Sequence, residues 1–262
     1  MRPNWLLAID IGNSFTHCGL FREKNLIIEM RWPTREKIKE GNNCFSYLVK
    51  KADEVIIASV VAKKGEELKN LIRGNYRKKV YSLKDDLETG LKISYGSKES
   101  PLGEDRIAGA SAVAFHYRKD GIIVDLGTAT TISAVTKEGK FLGGLIAPGI
   151  LSALSFLKKA ERLRPFSSYF LMNRPLRKIP PPYLAQDTEN GIRNGIYLFL
   201  KSFLEGTIKK IKLEMPQRSF TTFLTGGLSF LLSPILEGID IIDPFLNLRG
   251  LCMIYYLNKI RR

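Results

Sequence analysis

Two short segments of this 262-residue chain repeat one another. From Leu6 the chain reads LLAIDIGNSFTHCGLF, and from Ile122 it reads IIVDLGTATTISAV, aligning Asp10 with Asp125 and Gly12 with Gly127 at an offset of 115 residues. In each copy an apolar run ends in Asp-x-Gly, passes a turn rich in Asn, Ser or Thr and enters a second apolar run. That pattern predicts a β-hairpin with a polar tip. A chain that carries the unit twice is constrained to a duplicated architecture, with one hairpin opening each half. We place the boundary at the polar stretch from His116, giving halves 1–118 and 119–262.

Around the hairpins, runs rich in branched residues at 6–10, 26–32, 55–61, 122–125, 132–135 and 221–225 read as strands. Amphipathic stretches at 66–73, 106–116, 190–212 and 244–258 read as helices. Their alternation predicts an α/β fold. The Pro-rich run from Arg177 to Tyr183 precedes a long helical pattern, so it reads as a rigid loop of the second half.

Composition removes several function classes. Cys18, Cys44 and Cys252 are scattered, which offers neither a zinc ribbon nor a disulfide framework and points to a reducing cytoplasm. The first apolar run is broken by Asp10, so no export signal is expected. The longest weakly polar stretch, 145–157, contains Pro148 and Gly149 and is shorter than the roughly 20 residues of a membrane span. His17 and His116 lack neighbouring ligands and read as packed or surface histidines rather than a metal site. The formal charge of +15 leaves an acidic partner open, whether nucleic acid, an anionic membrane surface or phosphorylated small molecules.

The loop residues suggest which anion. Asp10, Ile11, Gly12, Asn13 and Ser14 set a carboxylate beside a glycine turn whose N–H groups and side chains can donate to phosphate oxygens. Asp125, Gly127 and Thr128 repeat that offer. Acidic groups beside phosphates require a cation such as Mg²⁺. Either copy alone is equally an ordinary Asp-x-Gly turn. Thr225-Gly226-Gly227, after a strand-like run, allows a ligand close approach to the backbone or forms a tight packing turn. Gly143, Gly144, Pro148 and Gly149 form either a pocket wall or a bent strand. Gly103-Glu104-Asp105-Arg106 precedes a helical pattern, where Asp105 is favoured as the anion and Arg106 can grip a carboxylate or phosphate. The plainer alternative is a helix cap followed by a surface arginine.

Taken in order, Asp10–Ser14, Gly103–Arg106, Asp125–Thr131, the run from Phe141, the Thr188 to Gly195 spacing and Thr225–Gly227 resemble the type III pantothenate kinases, members of the actin, hexokinase and heat-shock-chaperone ATPase superfamily. The resemblance implies two related ribonuclease-H-like α/β domains with a nucleotide cleft between them. It implies transfer of the ATP γ-phosphoryl group to the primary hydroxyl of pantothenate, the first step of coenzyme A synthesis. By the same resemblance, Asp10, Ile11, Gly12, Asn13, Ser14, Phe15, Thr16 and His17 form the first phosphate loop, with Asp10 near magnesium. Thr128, Gly226 and Gly227 also serve ATP. Asp105 is the proton acceptor, and Tyr95, Gly103, Glu104, Arg106 and Thr188 line the pantothenate site. Asp125 binds a monovalent cation, K⁺ or NH₄⁺, and a homodimer completes the pocket.

The chain departs from the family wording at four places. Glu104 stands where alanine is usual and is expected to point away from the pocket. Ser14 replaces threonine, no proline closely follows Tyr95, and the residues before Thr188 differ. A sugar or acetate kinase of the same fold and a nucleic-acid-binding accessory factor are the competing readings. No basic-aromatic interleaving supports the latter, so no nucleic acid is expected. The surplus charge concentrates between Lys158 and Lys178, as a solvated face or as an attractor of anionic ligands.

Overall fold

The computed structural model describes residues 4–36, 43–94, 101–157 and 181–260. The chain forms two compact units. The first comprises Met1–Lys119, Val135–Gly143 and Phe245–Arg262, and the second Asp120–Ala134 and Gly144–Pro244. The expected α/β class holds. The first interruption falls beside the boundary near 118, and two later segments return to the first unit.

In the first unit a five-stranded sheet takes the order β3-β2-β1-β4-β5, from β1 (Trp5–Ile11), β2 (Phe15–Arg22), β3 (Asn25–Pro33), β4 (Glu54–Ser59) and β5 (Lys79–Ser82). β1 and β2 are antiparallel, as are β2 and β3, whereas β1, β4 and β5 run parallel. Alternation along β1 divides its side chains between two cores. Leu7, Ile9 and Ile11 pack with Leu48, Val49, Leu68 and Ile72 of the helices Asn43–Lys51 and Ala62–Tyr76. Leu6 and Ala8 pack with Leu248, Leu251, Ile254 and Tyr255 of the terminal helix, Leu246–Ile260. Each buried leucine stabilises this arrangement by about 1.5–3 kcal/mol. The amphipathic pattern read at 244–258 thus finds its partner on the first sheet.

The terminal helix is anchored at its far end by Glu54, at the start of β4. That carboxylate accepts hydrogen bonds from the hydroxyls of Tyr255 and, at 3.0 Å, Tyr81, and pairs with Lys259 at 3.0 Å. Burial opposes its ionised form, but these donors outweigh burial and hold the carboxyl below its ordinary range. The expected helix at 106–116 is α-helical over Glu104–Ser111 and widens to a π-helical turn over Ala112–Tyr117, ending at Arg118 in the left-handed region. β6 (Lys92–Ile93) pairs in parallel with residues 140 and 141.

In the second unit β7 (Gly121–Leu126) leads through a two-residue turn into β8 (Ala129–Val135); β9 (Lys140–Pro148) follows, its residues up to Gly143 counted with the first unit and the rest with the second. β10 (Thr221–Thr225) runs parallel to β7 and to β11 (Ile241–Ile242), giving the order β11-β10-β7-β8-β9. The helix Thr188–Glu214 buries Tyr197, Leu200, Leu204 and Ile208, a spacing that turns one face inward. No helix among the described residues is long and apolar enough to cross a membrane.

Candidate functional site

In the first unit the β1–β2 turn, 12–14, lies at the carboxyl ends of the parallel strands, the edge where open α/β sheets bind ligands. Gly12 N–H donates to the Phe15 carbonyl at 3.0 Å, which closes the turn and leaves Asn13 and Ser14 exposed at its tip. Thr34, just beyond β3, braces the loop from behind. Its buried hydroxyl donates to the Gly12 carbonyl at 2.7 Å and lies 3.0 Å from the buried Thr16 hydroxyl, and its N–H donates to the Ser14 carbonyl at 3.0 Å. Nothing in the local sequence announces Thr34, because the strand register sets its place.

Asp10, His17 and Arg31 pair across β1, β2 and β3. Burial, reinforced by the Arg31 charge, pushes the His17 imidazole down to about 4, so it is neutral at physiological pH. The Arg31 guanidinium lies over the Phe15 ring at 3.7 Å. The Asp10 carboxylate accepts from the Asn247 amide at 3.1 Å. Asn247 is a second residue that sequence reasoning missed.

Gly103 and Asp105 open the helix Glu104–Ser111. Asp105 folds its carboxylate back over Gly103, where a Cβ would lie 2.6 Å from Oδ1, and accepts the Arg106 N–H at 2.8 Å. A side chain at position 103 would push the carboxylate out of this place. Glu104 turns to the end of β4 and accepts the Ser59 N–H at 3.0 Å. Burial raises the Glu104 carboxyl above its ordinary value, with the Asp85 and Asp105 charges adding to the effect. Arg106 is a buried arginine whose guanidinium lies over Phe141 at 5.4 Å, which removes the surface-arginine alternative.

In the second unit the Asp125–Thr128 turn is flanked by two glycines. Gly226, with φ +90°, lies where a Cβ would be 2.4 Å from the Asp125 carboxylate and 2.6 Å from the Leu126 nitrogen. A Cβ on Gly149 would lie 2.3 Å from the Thr128 carbonyl oxygen and 2.6 Å from that of Gly127. The Thr225–Gly227 element and the end of the 141–149 run thus both border the second loop, with Thr128 and Gly227 exposed. Thr188 is exposed at the start of the long helix, which Asp187 caps by accepting the Asn190 N–H at 2.8 Å. Tyr95 and the basic stretch 158–178 lie outside the described residues.

No group of three or more His, Cys, Asp or Glu forms a ready metal cage among the described residues. The donor set around Asp10, one carboxylate beside a phosphate-type loop, suits Mg²⁺, which commonly takes one or two protein carboxylates and completes its shell with phosphates and water.

Two Asp-x-Gly hairpins, one in each α/β unit, define the class: a two-unit α/β protein with a glycine-turn loop at the strand ends of each unit. An activator of 2-hydroxyisocaproyl-CoA dehydratase from Clostridium difficile, solved with bound ADPNP, has a similar fold, with TM-score 0.54 at 10% identity over 98% of this chain and 96% of that one. So does a conserved putative Baf family transcriptional activator from Campylobacter jejuni, at 22% identity and TM-score 0.54 over 97% and 99%. Sequence narrows the class. The type III pantothenate kinase family model matches residues 6–210. A type III pantothenate kinase from Citrifermentans bemidjiense is 34% identical over 97% of this chain and 100% of its own length. Another from Methylacidiphilum infernorum is 31% identical over 95% and 87%. The chain belongs to the type III pantothenate kinase family.

Proposed function

We infer that this chain is an ATP-dependent pantothenate kinase, transferring the γ-phosphoryl group to the primary hydroxyl of pantothenate to give 4′-phosphopantothenate, the first step of coenzyme A synthesis. The observation that carries the reading to the residues is the Gly103–Arg106 turn. Glu104 is committed to Ser59, while Asp105 is held over a glycine at the start of a helix.

Phosphoryl transfer through a loose transition state asks the protein mainly to position groups and stabilise charge. Asp105 accepts the pantothenate hydroxyl hydrogen bond, orients that oxygen toward phosphorus and takes its proton late in the transfer. A carboxylate serves in that role because the hydroxyl needs orienting first and loses its proton late. Asn13 and Ser14 donate to the nucleotide phosphates, Gly12 lets them approach the backbone closely, and Ile11, Phe15, Thr16 and His17 shape the loop. Thr128 donates from the second loop, and Gly226 and Gly227 admit the nucleoside. Asp10 holds magnesium, which neutralises phosphate charge when bound. Asp125 holds K⁺ or NH₄⁺. Tyr95, Gly103, Arg106 and Thr188 contact pantothenate, with Glu104 fixing that wall through Ser59. The active species is a cytoplasmic homodimer, and the halves 1–118 and 119–262 are the two copies of the duplication.

The test is ADP release with magnesium and potassium present, comparing pantothenate with a panel of sugars and acetate. Release that depends on pantothenate is expected. Turnover of a sugar or acetate but not of pantothenate would overturn the assignment.

A further inference from the structure

We propose that Asn247 is a positioning residue for the Asp10 carboxylate, supplied by the far end of the chain to set how the first loop receives its magnesium-bound nucleotide. The proposal rests on the role given to Asp10 above. A carboxylate offers only acceptors, so the Asn247 amide must present its N–H, and Nδ2 lies 3.1 Å from Oδ2 of Asp10. That bond fixes the rotation of the carboxylate about its Cβ–Cγ bond, which a lone aspartate on a strand end would leave to solvent and ligand.

The donor is itself held in place. Asn247 occupies the first turn of Leu246–Ile260, between the buried Leu246 and Leu248. Three residues on, Gly250 brings the helix so close to Ala108 that a Cβ would lie 1.8 Å from the Ala108 carbonyl oxygen. The terminal helix therefore cannot slide toward the helix that carries Asp105 or rotate against it without a backbone clash. One rigid element thus references both the magnesium-side carboxylate and the helix of the proton acceptor. Outer hydrogen bonds of this kind typically account for about 10- to 100-fold in metal affinity or activity.

The test uses ADP affinity of the full-length chain, measured calorimetrically with magnesium and again with EDTA, and reads the ratio of the two. Asn247→Leu is expected to shrink that ratio by about tenfold, leaving ADP affinity in EDTA and the melting temperature near wild type. Asn247→Ala, which removes the donor without adding bulk or charge, is expected to shrink it by a similar factor, and serves if the leucine variant does not fold. An unchanged ratio in a folded Asn247 variant would overturn the proposal. Asp10→Asn separates the two levels: if it collapses the ratio while the Asn247 variants do not, only the positioning role fails. If Asp10→Asn leaves the ratio intact, the reading of Asp10 fails and the proposal with it.

Discussion

Gly250→Ala adds one methyl group where the structure has no room for it. The new carbon would lie 1.8 Å from the Ala108 carbonyl oxygen and 2.5 Å from its carbon. A carbon and a carbonyl oxygen rest at about 3.3 Å or more, so the two helices must part by about 1.5 Å. Neither contact atom belongs to a flexible side chain, so the strain falls on backbone. Overpacking of this kind costs about 1–3 kcal/mol or more, against a gain of about 1 kcal/mol from alanine's better helix propensity. A net loss of about 2 kcal/mol corresponds to a fall of roughly 4–8 °C in melting temperature for a chain of this size. The displaced helix carries Asp105, and a misplacement of about 1 Å at a reacting group can cost on the order of 10²-fold in turnover. Thermal melts and pantothenate-dependent ADP release read both effects. The control is Gly74→Ala, in an exposed helical position with nothing within 4 Å of the added carbon. It should be neutral or slightly stabilising. A Gly250→Ala protein with wild-type melting temperature and turnover would refute the argument that this contact sets the helix spacing.

Three further perturbations follow from the site. His17 is held down to about 4 in the fold, against about 6.5 when unfolded, so its contribution is complete above pH 6.5 and is lost as pH falls through 4. The loss is at most about 3 kcal/mol; urea melts at pH 7.5 and 5.0 should lie closer together for His17→Gln than for wild type, and equal spacing would contradict the assignment. Glu104 has the opposite sign: its raised folded value favours the protonated fold and makes the carboxylate a cost once pH rises through it. Glu104→Gln keeps an acceptor for Ser59 N–H, so it should raise the melting temperature at pH 7.5, and a lowered one would refute this. Thr34→Val removes the donor to Gly12 and the partner of Thr16, at a cost of about 1–3 kcal/mol. It should raise the KM for ATP, with Thr34→Ser restoring it, and an unchanged KM in the valine variant would release Thr34 from its bracing role.

Local grammar made the hairpins legible: an apolar run, Asp-x-Gly and polar turn residues specify the same structure wherever they occur. Register supplied what that grammar lacks. Thr34 reaches Gly12 because β3 lies beside β2, and Asn247 reaches Asp10 across 237 positions because the terminal helix covers the first sheet. The periodicity of Leu248, Leu251 and Tyr255 announces a buried face without saying which sheet receives it. The same limit applies to Arg106, whose charge suggests solvent until Phe141 is seen beneath it. Gly226 and Gly149 stand apart in sequence, and only the fold shows that both border the second loop. Glu104, the residue that departs from the family wording, has a structural partner in Ser59 that charge alone does not reveal.

The central claim is that Asp105 receives the proton of the pantothenate hydroxyl as phosphorus is transferred. The direct measurement is turnover of pantothenate by Asp105→Asn, paired with ADP affinity on the same preparation. The account predicts a fall of about 10²-fold or more in kcat, with ADP affinity close to wild type. Near-normal turnover in the folded variant would contradict it.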